Sequence, residues 1–132
     1  MNRLVAAILA AVCLNLFATS AHAACASITL NFTAEHDWGS TEGRMSLVFE
    51  RAADGKVTGI RIDNFDSNSS DSSDPTGSVQ DLIDHGGGRY TFASRTGYAY
   101  DLTIGSNCTL TAGTANGHHP QAGEVRVTLS EG

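Results

Sequence analysis

Apolar side chains recur at every second position through most of this chain, and that rhythm restricts it to strands with one wet and one dry face. Ile28, Leu30 and Phe32 alternate with Ser27, Thr29 and Asn31, and Met45, Leu47 and Phe49 alternate with Ser46, Val48 and Glu50. A period of two matches the pleat of a β-strand, whose neighbouring side chains point to opposite faces. Asp54-Gly55 then supplies a tight turn, so residues 44–63 read as a hairpin. Parity slips between Val57 and Ile60 with Gly59 at the slip, which predicts a β-bulge.

The C-terminal half continues as a meander. Tyr90 and Phe92 lead to a turn at Arg95-Thr96-Gly97, and Tyr98, Tyr100, Leu102 and Ile104 share one face of the next strand. Gly105-Ser106 reverses the chain into Cys108, Leu110 and Ala112, and Val125, Val127 and Leu129 form the last strand after a loop at 116–122. About seven strands with short turns predict an all-β fold, a small antiparallel β-sandwich or meander barrel. Val79, Leu82 and Ile83 have helical spacing between Asp74-Pro75 and Gly86-Gly87-Gly88. At most one short helix of one or two turns fits there, and a short strand fits nearly as well.

The N-terminus reads as a leader. Asn2 and Arg3 precede an apolar run from Leu4 to Phe17 broken only by Asn15, and Ala21-His22-Ala23 has the small-x-small pattern of a cleavage site. The run is shorter than the roughly 20 residues that span a bilayer. Residues 1–23 are thus expected to be a cleaved secretory signal peptide. Residues 24–132 remain as one exported domain, periplasmic or secreted and monomeric, with a single modest core. Cys13 falls in the leader, which leaves Cys25 and Cys108 as an even pair in an exported chain and predicts one disulfide. Closing so long a loop stabilises a domain by roughly 4–5 kcal/mol in the chain-entropy model.

All 14 acidic residues lie beyond the leader, whereas Arg3 lies within it, so seven cations against 14 acids give the domain a formal charge of −7. Nucleic-acid binding needs a basic patch to displace counterions, and docking on anionic lipid needs the same sign. Neither is expected.

Residues 64–77 are almost all small and polar and predict a flexible loop. Asp66, Asn68 and Ser70 occupy the first, third and fifth positions of a calcium-type loop, but Asp71 stands at the sixth, where glycine is needed, and Gly77 at the twelfth, where glutamate is needed. Only a looser calcium site drawing on Asp63 or Asp74 remains. Imidazole and carboxylate suit zinc or copper, and His118 and His119 with His36 or His85 form the candidate metal set. The spacing does not fix such a site. Gly-x-Ser-x-Gly, His-Glu-x-x-His and Cys-x-x-Cys are all absent.

Trp38, the one tryptophan, sits in a polar segment with His36, Asp37 and Thr41. It reads first as a plug folded over one end of the core, and second as an exposed platform for a sugar face. Tyr98 and Tyr100 share a strand face and could line a groove. Trp38, His36, Asp37, Tyr98 and Tyr100 are therefore the candidate ligand-binding residues of a non-enzymatic binding module. Its expected targets are a glycan, a cell-envelope component or a secreted hydrolase. A metal-binding protein or small metal-dependent enzyme is the alternative.

Overall fold

The alternating runs become staves of a barrel. The computed structural model describes residues 25–132, so the leader and its cleavage site lie outside the described residues. Nine antiparallel strands follow one another: β1 (Ser27–His36), β2 (Gly39–Arg51), β3 (Val57–Ser67), β4 (Gly77–Ser78), β5 (Gln80–Gly86), β6 (Arg89–Ala93), β7 (Ala99–Ile104), β8 (Leu110–His119) and β9 (Gly123–Glu131). They form one sheet in the order β4-β3-β2-β1-β9-β8-β7-β6-β5. Its two edge strands, β4 and β5, are one continuous stretch of chain. Gly77 and Ser78 pair with Ile62 and Arg61 of β3, the Val79 amide donates to the Ile60 carbonyl at 3.0 Å, and β5 crosses to β6. A single bent segment thus closes an up-and-down meander into a nearly complete barrel with eight walls, which leaves almost no open sheet edge.

This closing segment corrects the strand count: nine strands are present rather than about seven. Of the short helix or short strand that the sequence allowed over 79–83, the strand forms, and no helix is present among the described residues. Val79 and Leu82 both pack on the core while Ile83 is exposed. Asp81 adopts a left-handed backbone (φ 56°) at a break in the β5–β6 register, so one extra residue separates two inward side chains. The resulting three-residue spacing imitates a helix. The expected bulge near Gly59 is present, because Glu50 pairs with Gly59 and Arg51 with Val57, which leaves Thr58 unpaired. At the start of the 64–77 tract, Asn64–Ser67 extend β3, and the loop itself spans 68–76.

Inward positions carry the core: Leu30, Leu47, Ile60, Ile62 and Leu102 are essentially inaccessible. Outward positions carry Thr29, Asn31, Thr33 and Glu35 on β1 and Arg126, Thr128 and Ser130 on β9. A lipid-embedded barrel has the reverse pattern. Two features define opposite ends. Cys25 is disulfide-bonded to Cys108 at one, with their Cα atoms 5.5 Å apart. The other is formed by the β1–β2, β3–β4, β6–β7 and β8–β9 connections.

Candidate functional site

The β1–β2 connection is a two-residue turn, Asp37-Trp38, with His36 paired to Gly39. His36 braces it from within, since its Nδ1 accepts the Trp38 amide at 3.3 Å. The β8–β9 turn repeats the device: His119 Nδ1 accepts the amides of Gln121 and Ala122, both at 3.1 Å. The two turns are stitched together where the Asp37 amide donates to the Ala122 carbonyl at 3.2 Å. Trp38 stands between the two imidazoles, edge-on to His119 (centroids 5.3 Å apart) and to His36 (6.2 Å). Its residue surface is 54% exposed. The plug reading is therefore corrected: the indole does not fold down onto the core but remains at the rim.

Two close approaches shape what lies below. Gly117 leaves room for the Tyr98 ring, whose Cγ would be 2.6 Å from a Cβ at that position. Gly43 does the same for the Phe32 ring, which stacks on Phe65 at 5.6 Å. The result is a half-open cavity of about 90 Å³ leading down into the barrel. Phe32, Ala34, Met45, Val125 and Val127 make its floor and lower wall; His36, Trp38, Tyr98 and His119 make part of the rim. Ser69, Asp71, Ser72 and Ser73 of the 68–76 loop complete the far side.

That loop is held in several places. Asn68 pairs through its amide and its side chain with Glu42 (2.9 and 3.0 Å), and Ser67 and Ser72 share a hydroxyl bond of 2.7 Å. Arg95 donates to the carbonyls of Thr76 and Asp74, both at 2.7 Å, and Pro75 is buried. Asp74 accepts the Thr76 hydroxyl and amide, which, with Arg95 nearby, holds its carboxyl below the usual range.

Of the residues expected from sequence to bind ligand, His36, Trp38, Tyr98 and Tyr100 converge on this cavity. Asp37 does not line it: it is exposed, with its carboxylate against Gly123. Tyr100 stacks on Phe92 (5.0 Å), and burial pushes its phenol far above the ordinary range, with a smaller push from Tyr98. Burial also raises Tyr98.

The candidate metal residues do not assemble. His119 faces the cavity, whereas His118 is exposed on the outer face of β8 opposite Glu124. His85 lies on β5 toward the disulfide end and shares a 2.7 Å bond with Thr91. His36 has no free lone pair, because Nδ1 accepts the Trp38 amide and Nε2 contacts Thr41 Oγ1 at 2.9 Å. Among the described residues, no group of three His, Cys, Asp or Glu side chains is placed to hold a metal ion.

The His36–Thr41 contact resembles a base and nucleophile, but the proton is on the wrong side. With Nδ1 accepting, the neutral ring carries its hydrogen on Nε2 and donates it to Thr41. An activating histidine must instead accept from the hydroxyl. Thr41 and His119 are wall residues that the sequence reading did not assign to ligand. Thr41 shares the odd-numbered parity of Met45, Leu47 and Phe49, a signal sufficient to place it inside. No protein-family model, no curated protein and no solved structure matches the chain.

Proposed function

We propose that this protein is an exported, non-enzymatic binding module that seats a compact ligand, or a protruding group of a larger partner, in the histidine–tryptophan mouth of its barrel. The observation that carries this reading is Trp38, half exposed beside His119 and above an apolar floor. An apolar cavity open to water, with an aromatic ring and a few polar groups at its mouth, has the character of a small-ligand site. Eight-walled barrels have interiors that are either filled by side chains or open enough for one small ligand, and this one is filled at its middle and open at one end. The disulfide fits an oxidising, extracytoplasmic setting. A glycan would meet this mouth at the rim, by stacking on Trp38, because the hydrocarbon floor leaves sugar hydroxyls unpaired.

Mapping amide chemical shifts of the exported protein during titration with envelope and secretome fractions tests the reading. Shifts should concentrate at residues 36–41, 68–73, 98–100 and 119–122, and His119→Ala should weaken them. Shifts confined to the disulfide end would overturn it.

A further inference from the structure

Two hydroxyl groups in the wall of the mouth hold protons that the protein leaves without a good acceptor. Tyr100 is 5% exposed, and among the described residues its hydroxyl reaches only the Met45 thioether, at 3.9 Å. Sulfur in a thioether is a weak acceptor. Thr41 is 7% exposed, and its oxygen receives the His36 Nε2 proton at 2.9 Å. Its own proton has no partner among the described residues. A buried donor without an acceptor costs free energy that a ligand can recover. Both residues line the cavity.

Charge narrows the occupant further. The wall contains no lysine or arginine, and its one carboxylate is Asp71. An anion would meet a like charge and no cation. A cation would find Asp71 and the half-exposed Trp38 only at the rim. Deeper in, the Tyr100 and Thr41 hydroxyls offer protons rather than lone pairs, and Phe65 covers one face of Phe32 and Phe92 one face of Tyr100. The rest of the floor is hydrocarbon and thioether. Resting on the reading of this mouth as the binding site, we propose that its ligand is an uncharged small molecule with an apolar body. At the end that enters first it carries an accepting oxygen, the carbonyl of a ketone, ester or lactone. Tyr100 and Thr41 are the specificity-determining donors.

Four probes of matched size test this on the exported protein by amide-shift titration: acetophenone, α-methylstyrene, phenyltrimethylammonium and benzoate. The first two differ in one group, a carbonyl against a methylene. Tyr100→Phe should weaken acetophenone about fivefold, the worth of one net hydrogen bond, and leave α-methylstyrene unchanged. Thr41→Val repeats the test from the other side of the cavity and carries it if the first variant fails to fold. Equal effects of both variants on the two neutral probes would overturn the donor assignment while leaving the mouth a binding site. Tighter binding of phenyltrimethylammonium or benzoate than of acetophenone would overturn the ligand class. If none of the four shifts a resonance at the mouth, the binding-site reading fails and this inference with it.

Discussion

The two ends of the barrel are built from similar parts but expose different chemistry. At the disulfide end, Arg51 donates through Nε and Nη2 to the Cys25 carbonyl (3.2 and 2.8 Å) and through Nη1 to the Gly55 carbonyl (2.9 Å), with its guanidinium 5.8 Å from the Phe49 ring centroid. The hollow there is the larger, about 350 Å³, but it is lined by turns and glycines, and its Arg51 donors are already satisfied. At the loop end, Arg95 also grips two backbone carbonyls. Here, however, a tryptophan stands in water, the Tyr100 hydroxyl donates only to a thioether, and the Thr41 proton has no acceptor among the described residues. The exposed indole and the hydroxyls without a strong acceptor thus lie beside the smaller hollow, not the larger. The disulfide adds stability at one end, while the other carries surface that folding alone would not favour.

Breaking the base should have the largest effect. Replacing Cys25 and Cys108 by serine should cost about 4 kcal/mol in urea unfolding, by the entropy of the loop it releases. A loss below about 1 kcal/mol would remove the assignment of stability to that end.

The second test sharpens the contrast from inside the mouth. Because burial raises the Tyr100 phenol, the folded state prefers the neutral form. That preference stabilises the fold fully below the ordinary phenol range near pH 10, and is lost as pH rises above it. Stability should fall by roughly 1.4 kcal/mol per pH unit above pH 10 from this one group. Tyr100→Phe should flatten most of that decline in chemical unfolding at pH 9 to 11, and an unchanged slope would mean the hydroxyl is not buried.

Arg95→Ala comes third, at about 1 kcal/mol, since its two hydrogen bonds are exposed. Its clearer signature is faster cleavage within 68–76 by an added protease, followed by mass spectrometry. Equal cleavage rates would show that Arg95 does not hold the loop.

Trp38→Ala should be the mildest, under about 0.5 kcal/mol, because the indole covers little that the fold needs. A core plug would cost roughly 3–5 kcal/mol, so one melting curve separates the two roles.

Much of this fold is legible in the sequence because alternation survives wherever a strand is regular: β1, β2, β7 and β9 show their inward residues directly. It fails where a bulge resets parity, which is why the segment through Asp81 fits a short helix and a short strand almost equally well in sequence. The disulfide was readable from cysteine parity and export alone. At the mouth, His36, Trp38, Tyr98 and Tyr100 were each recognisable as chemistry-bearing residues. Their convergence was not, because positions 36–38, 98–100 and 119–122 become neighbours only when the ring closes. For the same reason His119 reads in sequence as half of a metal pair. Whether adjacent histidines act together depends on whether they lie in a strand, and in β8 they point apart.

Both ends of the described chain lie on the disulfide side. Cys25 is anchored there, and the Gly132 amide donates to the Thr29 carbonyl at 3.0 Å, while β9 runs beside β1 back to that side. A tag, linker or neighbouring domain joined at either terminus would therefore emerge behind the barrel, with the tryptophan rim facing away. Immobilised by either terminus, the protein presents its mouth to solution in the same orientation.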